Sequence, residues 1–478
     1  MKKMIKKILS LFCVGAIAFS VSACTEKVIS AYDIAVQHGF VGTEEEWLQS
    51  LHGSNGKDAP PITVMDLYEQ AKKENPSLTY LEFCKSLGID AMENNDVAQI
   101  ADNVMSVVEI YCGWTKTENK GILVDKKEVD YSMSVGSGVI IELDKEHGNA
   151  LVVTNYHVVY NKDSDAKGIC DEMRLYLHGG AVNFYAEEGV GFNDGGVDAM
   201  KARFVGGAMD YDVALLRIEG SEYLKNSNAT AATIGNSEKV IEGEKVFAIG
   251  NPDGAGISVT SGVLSVKSEY IDIEALDERD QDGSVGTDLV SYRVMRTDAA
   301  INGGNSGGGL FNAAGELIGI TNAKSVGTDK DDMGYALPMY DVIAIKDNIL
   351  DNGVGYVKRG MLGVMVSTES GVAEKNEDGT LTIKQTFSVA EDVTMSSHSY
   401  GKLKKGDIFL WGQIISKDGT VGEKVYFDRQ YQLNNLLLYL REGDTLVLGI
   451  KRKSILGTWE EKTVTILYNK ANAFVAYK

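Results

Sequence analysis

The stretch TDAAINGGNSGGGL, residues 297–310, sets one serine, Ser306, among five glycines. A loop that aims two backbone N–H groups at one point needs unusual φ/ψ values and no Cβ in the way, which glycine supplies. Two such donors form an oxyanion hole, placed where negative charge develops on an attacked carbonyl. On this reading Ser306 is the attacking group and the N–H groups of Gly304 and Ser306 are the donors. A glycine-rich turn holding a serine is common in itself, so the other parts of such a site must be found independently.

A serine hydroxyl needs a base to take its proton, and the base needs an orienting acid. The chain holds six histidines, at 38, 52, 147, 157, 178 and 398. Only His157 closes a core-like run, ALVVTNYHVV (150–159), which reads as a buried strand bringing the imidazole out at its end. In the order His, Asp, Ser the acid lies between 157 and 306. Asp212 opens the alternating strand DVALLRI (212–218), and Asp210 lies two residues before it, on the same face by strand alternation. Asp212 is preferred because it abuts the apolar strand that would bury it. Singly, each of these residues has an ordinary explanation as a turn, cap or loop residue. In this order and in these strand contexts they form a set.

Composition bounds the rest. The 478 residues suggest two to four domains. The net charge of −21 disfavours nucleic acid as a partner, because phosphate recognition needs basic surface. Fifty-two glycines and many short Val/Ile-rich runs with turn punctuation fit a mainly β protein. The scattered histidines and the absence of CxxC spacing give no metal set, and no cofactor motif appears. Of five cysteines, Cys13 and Cys24 lie near the start; Cys84, Cys112 and Cys170 are an odd number, so at least one stays free or pairs between chains.

These motifs, with GSGVII (136–141), AIGNPDG (248–254), SVTSGVLS (258–265), GELIGITN (315–322) and GYALP (334–338), resemble the HtrA (Deg) family of serine proteases. The resemblance runs from about residue 135 to the C-terminus. It implies a chymotrypsin-like double β-barrel followed by a PDZ α/β module, and a triad of His157, Asp212 and Ser306. It further implies an oxyanion loop of Gly304, Asn305 and Ser306, and substrate pairing along the strand at Ile320, Thr321 and Asn322. The activity implied is ATP-independent endoproteolysis of unfolded or exported polypeptides in protein quality control, with a homotrimer as the possible assembly. The apolar primary pocket of the family and the lack of an acid among Ala300–Asn305 point to cleavage after Val, Ala or Ile. Two departures stand out. Gly309 replaces the family's usual proline, which predicts a looser nucleophile loop. The segment 269–288 is long and acidic and reads as a surface loop where the family carries a regulatory one.

Past the barrels, Met361, Leu362, Gly363 and Val364 resemble the carboxylate-binding element of the HtrA PDZ domain, and LKKGDIFL (403–410) its turn-strand element. A helix is expected over 428–440, from the spacing of Leu433, Leu436, Leu437 and Leu440, followed by the strand in REGDTLVLGIKR. Such a module captures peptide C-termini by backbone N–H groups and strand addition.

The first residues, MKKMIKKILSLFCVGAIAFSVSAC, place four lysines before a short apolar core and small residues before Cys24. VSAC resembles the lipobox of bacterial lipoprotein signals, which implies cleavage before Cys24, lipidation there, and a membrane-anchored chain on the extracytoplasmic face. Loss of the four lysines takes the charge to about −25. Between 31 and 88 two units repeat at a spacing of 36 residues, with Tyr32, Thr43, Glu46 and Trp47 matching Tyr68, Thr79, Glu82 and Phe83. Each reads as two short helices with a T-x-x-E capping box, and GSNGKDAPP (53–61) as a linker. Residues 97–110 read as an amphipathic helix leading into the barrels. The expected organisation is 1–23 signal, 24–95 helical repeats and linker, 96–350 protease domain and 358–470 PDZ domain. A lipid-anchored peptide-binding or chaperone-like protein with an idle triad is the alternative from another class.

Overall fold

The computed structural model describes residues 100–119, 127–165, 168–276, 289–322, 333–353, 355–375, 381–469 and 473–477, with Val36, Thr43, Lys72 and Lys73. The expected signal, Cys24, Cys84 and, apart from those four residues, the helical repeats with Trp47 and Phe83 lie outside the described residues. The chain divides into two compact units, Met1–Ala98 and Gln99–Lys478, and all the strands and helices named below belong to the second.

Strands rich in β-branched residues dominate. β1 (Val107–Asn119), β2 (Lys127–Asp144) and β3 (Asn149–Thr154) lead to a one-turn helix α1 (Tyr156–Val159). A small hairpin follows, β4 (Tyr160–Asn161) and β5 (Gly168–Ile169), then β6 (Glu172–Leu177). A second hairpin, β7 (Ala186–Glu187) and β8 (Gly191–Phe192), precedes β9 (Met200–Ala208) and β10 (Val213–Ile218). The order β1-β2-β3-β10-β9-β6 closes into a barrel. After helix α2 (Glu222–Asn226) come β11 (Lys245–Gly250), β12 (Ser258–Glu274), β13 (Leu289–Thr297), β14 (Gly309–Asn312), β15 (Leu317–Asn322) and β16 (Gly334–Pro338). They close a second barrel in the order β11-β12-β13-β16-β15-β14. This is the chymotrypsin-like double barrel.

Period-two alternation sorts each strand's side chains. Val108, Ile110, Cys112 and Trp114 of β1 fill the first barrel with Ile140, Val152, Leu175 and Leu216. Val246, Ala248, Leu264, Met295 and Leu310 fill the second. The opposite faces meet between the barrels, where Val139, Val153 and Leu215 join Ile249, Phe311 and Ile320 in one cluster. Helix α3 (Met339–Asn352) seals it with Val342, Ile345 and Ile349. Each such buried side chain stabilises the fold by about 1.5–3 kcal/mol, and Phe311→Ala would cost about 3–5 kcal/mol.

Three expectations change here. The run 97–110 is not one helix: residues 100–104 are helical, and Val107–Ile110 open β1, because four consecutive buried positions, three of them β-branched, suit a strand paired on both edges. The strand before His157 stops at Thr154, and the imidazole rides on α1. The acidic segment is not all loop. Glu269–Glu274 belong to β12, with Ile271 and Ile273 buried and Asp272 between them exposed, and only 277–288 lie outside the described residues.

A C-terminal module completes the unit. β17 (Val357–Gly360) pairs with β26 (Phe474–Tyr477). Between them lie β18 (Val366–Thr368), the hairpin β19 (Val372–Lys375) and β20 (Leu381–Lys384), β21 (Phe387–Val389), β22 (Ile408–Ile415) and β23 (Val425–Tyr426). Helix α4 (Gln430–Leu438), β24 (Thr445–Lys453) and β25 (Trp459–Leu467) are its remaining elements. The sheet runs β18-β21-β22-β24-β25, with β23 on β22. Leu433, Leu436 and Leu437 of α4 pack on Phe387, Phe409, Leu446 and Leu448, so the leucine spacing read from the sequence marks a helix.

Candidate active site

Asp212 stands at the end of a 3₁₀ turn, Met209–Tyr211, in the left-handed region at φ 52, ψ 40. Aspartate tolerates that conformation better than most residues. The side chain is completely buried. Both carboxylate oxygens then serve His157: Oδ1 accepts its backbone N–H at 2.9 Å, and Oδ2 lies 2.7 Å from Nδ1. Asn322 donates to Oδ2 at 2.9 Å. The Asp212 backbone carbonyl accepts from Tyr156 N–H at 3.1 Å and Asn155 Nδ2 at 3.0 Å, tying the start of α1 to the same residue. An ionised acceptor at Nδ1 assigns the proton to that nitrogen and leaves Nε2 as the acceptor. Asp210, the other candidate, sits within the turn and is exposed; the turn ends the alternation that would have put it on the same face.

Ser306 belongs to the second barrel yet is anchored to both. Ser137 of β2 donates its N–H to the Ser306 carbonyl at 2.8 Å. Gly307 donates to the Thr321 carbonyl at 2.9 Å, one residue from the Asn322 that holds Asp212. A Cβ on Gly307 would lie 2.1 Å from the Ser137 carbonyl, so glycine is required for this approach. The loop bearing Ser306 and the His157–Asp212 pair thus share β2 and β15 as supports. Ser306 is nearly buried, at 6 % exposure.

The loop's donors follow from peptide geometry. The Gly303 carbonyl accepts from Asp253 N–H at 2.8 Å. In a trans peptide the N–H points opposite to the carbonyl, so the Gly304 N–H faces away from Asp253. Among the described residues it has no acceptor. Gly304 lies at φ +86, and a Cβ there would come within 2.2 Å of the Asn251 carbonyl. Asn305 departs from expectation: its N–H donates to the Asn302 carbonyl at 3.0 Å and is unavailable to a ligand. Its own carbonyl accepts from Thr321 Oγ1 at 2.6 Å and Gly308 N–H at 2.9 Å, which makes it a brace for the loop.

Ser137 is the residue that sequence reasoning passed over. Its hydroxyl donates to the Gly304 carbonyl at 2.7 Å and accepts from Asn251 N–H at 2.8 Å. Its own carbonyl accepts from Thr154 Oγ1 at 2.7 Å. One wholly buried side chain therefore fixes the plane of the peptide after Gly304 against the other barrel. The only signal was a serine between two glycines in GSGVII.

The substrate-strand reading of Ile320, Thr321 and Asn322 needs correction. Ile320 is paired with Gly309 on one side and Leu337 on the other. Thr321 gives its N–H to the Gly308 carbonyl and accepts from Gly307. Asn322 faces Tyr335 in the ladder, and its side chain serves Asp212. No free edge is left at Ile320 or Thr321, because the nucleophile loop itself occupies it. Gly309 likewise is held by pairing with Ile249 and Ile320, so loss of a proline there does not leave the strand unsupported.

In the C-terminal module, 361–364 leave β17 as a loop with its carbonyls tied back. Tyr468 Oη donates to the Met361 carbonyl at 2.9 Å, Ser399 Oγ to that of Leu362, and Ser397 Oγ to that of Gly363 at 2.7 Å. Among the described residues the N–H groups of Leu362, Gly363 and Val364 have no acceptor. They edge a groove of about 510 Å³ walled by Leu433, Asn434 and Leu437 of α4.

Residues 136–320 match the sequence family described as trypsin-like peptidase domain. The chain is 31% identical over 322 residues to "Serine protease Do-like HtrB" of Bacillus subtilis, covering 66% of this chain and 61% of that protein. It is 28% identical over 388 residues to "Serine protease Do-like HtrA" of the same organism, covering 78% and 76%. It is 33% identical over 346 residues to "Probable periplasmic serine endoprotease DegP-like" of Rickettsia conorii, covering 70% and 57%. The match thus spans less than two thirds of the first and third of these relatives. The chain carries a trypsin-like peptidase domain and is similar to HtrA-type serine proteases.

Proposed function

We propose that this chain is an extracytoplasmic serine endopeptidase of HtrA type, lipid-anchored through Cys24, that cleaves unfolded or exported polypeptides in protein quality control. The observation that carries the reading is the double grip of Asp212 on His157, at 2.9 and 2.7 Å, set against a serine loop whose Gly304 N–H has no acceptor among the described residues. His157 Nε2 takes the proton of Ser306 as Oγ attacks the scissile carbonyl, and Asp212 stabilises the imidazolium that forms. The tetrahedral oxyanion is received by the N–H groups of Gly304 and Ser306. His157 then protonates the leaving amine, and water attacks the acyl-enzyme by the same route in reverse.

The amides of Leu362, Gly363 and Val364, without an acceptor among the described residues, support a PDZ-like role, binding the C-terminal carboxylate of a peptide laid along α4. Cleavage after Val, Ala or Ile remains the expected specificity, and trimeric assembly the expected state. Fluorophosphonate labelling of Ser306 and casein cleavage, both lost in Ser306→Ala with the fold unchanged by circular dichroism, test the enzyme. Absence of labelling with and without added peptide would favour a peptide-binding protein with an idle triad.

A further inference from the structure

Two cysteines that the site does not use are buried side by side in the first barrel. Cys112 points inward from β1 and is wholly buried; Cys170 follows β5 and is 9 % exposed. Both are free thiols and belong to one apolar cluster, each one residue away from the Asp171 N–H to Gly113 carbonyl hydrogen bond of 2.9 Å. The backbone around Cys170 is strapped in place. Its N–H donates to the Val159 carbonyl, the last residue of α1, at 3.0 Å. The next residue, Asp171, donates its N–H to Gly113 at 2.9 Å, and its carboxylate accepts from Thr115 N–H at 2.8 Å and Oγ1 at 2.9 Å. Trp114 Nε1 donates to the Gly168 carbonyl at 3.2 Å. Residues beside each cysteine, Gly113 to Thr115 on one segment and Gly168 and Asp171 on the other, thus hold the two segments together whatever the state of the sulfurs.

We propose that Cys112 and Cys170 close to a disulfide when the chain folds in contact with a disulfide-bearing oxidant, stapling β1 to the segment that holds the end of the His157 helix. The inference rests on export of the chain, since such bonds persist outside the cytoplasm. In the step, the Cys170 thiolate attacks the oxidant's disulfide and expels one thiolate. Cys112 then attacks the sulfur of Cys170 in the mixed disulfide and expels the second. The oxidant's disulfide becomes two thiols, taking up the two protons and two electrons that the cysteines lose. Burial holds the Cys112 thiol well above its ordinary pKa, with the neighbouring Cys170 thiol adding to the shift. The folded, reduced pair is therefore a slow nucleophile, and the bond forms as the barrel closes rather than afterwards.

The test refolds the full chain, as Ser306→Ala to prevent self-cleavage, in mixed reduced and oxidised glutathione. Free thiols are then alkylated and the protein is mapped without reduction. The expected result is a cross-linked peptide pair containing residues 112 and 170, two fewer alkylated thiols, and a Tm on the order of 5 °C above that of the dithiothreitol-treated protein. Cys112→Ala and Cys170→Ala should each abolish the cross-link and the dithiothreitol-sensitive shift, while Cys84→Ala leaves both. Complete alkylation of Cys112 and Cys170 after refolding, or a cross-link from either to Cys84, overturns the proposal. The refolding arm is independent of where the protein resides. A bond that forms in vitro but is missing from protein isolated from cells counts against export, not against the pairing.

Discussion

The corner where the two barrels meet and the joint where the second barrel meets the C-terminal module are built from different forces. The corner is held by hydrogen bonds between neutral groups: Ser137 to Gly304, Thr321 to Asn305, Thr154 to Ser137. Its one fully buried anion, Asp212, has both oxygens engaged. The joint is ionic. Arg293 of β13, with a side chain 5 % exposed, reaches Glu238 at 2.7 Å and Asp341 of α3 at 3.1 Å, and donates to Ser268 at 3.0 Å. The ring of Tyr431, from α4, stacks 3.7 Å from its guanidinium, and Tyr431 Oη donates to Glu238 at 3.2 Å. Neutral hydrogen bonds hold atoms in place with little dependence on pH or salt, which a preorganised site requires. Buried ion pairs contribute little net stability but are costly to break. Damage at the corner should therefore appear in rate, and damage at the joint in stability.

The sharpest break is Asp212→Asn. It keeps the shape of the corner but removes the acceptor that selects the Nδ1–H tautomer of His157. A fall in kcat on the order of 10⁴ is expected, with Tm within a few degrees of wild type. Peptide hydrolysis and calorimetry on the same samples check it, and a Tm loss matching the rate loss would erase the contrast. On the other side, Arg293→Ala strands Glu238 and Asp341 in a buried site. The expected cost is about 3–5 kcal/mol in denaturant unfolding, with fluorophosphonate labelling of the folded fraction at wild-type rate.

These two regions also differ in how far the chain alone reveals them. His157, Asp212 and Ser306 stand out in the sequence because each is a chemically distinctive residue beside a strand or glycine run. The groups that position them are not. Ser137, Thr154 and Thr321 are ordinary strand residues by type, and only the meeting of two barrels tells which carbonyl each hydroxyl reaches. That Ile320 and Thr321 have no free edge was unreadable for the same reason, since the nucleophile loop's claim on Thr321 is a tertiary fact. The acidic segment concealed a strand because Ile271 and Ile273 alternate with charges, a pattern that composition alone reads as loop. The joint was invisible, as nothing local links Arg293 to Tyr431. The double barrel itself was readable from short alternating runs and from the order of motifs along the chain.

A smaller effect separates positioning from chemistry within the corner. Ser137→Ala deletes the hydroxyl bridging Asn251 N–H and the Gly304 carbonyl and leaves both buried. Each lost buried partner costs about 1–3 kcal/mol, and where that is felt as a tilted Gly304 peptide, kcat falls by about 10–100-fold with KM little changed. Affinity for a peptide boronate, which engages the oxyanion donors, should fall in parallel, whereas a merely structural serine would leave the ratio of boronate affinity to substrate KM unaltered.

The smallest expected effect belongs to the joint and is read as a slope. Burial pushes Asp341 up to about 6 against the pull of Arg293, with Glu238 adding repulsion. Arg293 points the other way: burial alone would lower it, but Asp341 and Glu238 together outweigh that and hold it firmly charged. The direction for Asp341 follows from its burial, with the side chain only 13 % exposed, and from sharing one cation with a second carboxylate. Its folded pKa lies above the ordinary carboxylate value, so its contribution to stability is fully present below about pH 4 and is lost as pH rises through about 6. Asp341→Asn cannot ionise and lacks that loss. The Tm of the variant minus that of wild type should therefore rise between pH 4 and 6 and level off above, measured at constant ionic strength. A flat difference would mean that Arg293 keeps Asp341 ionised throughout, and that the joint is as insensitive to pH as the corner.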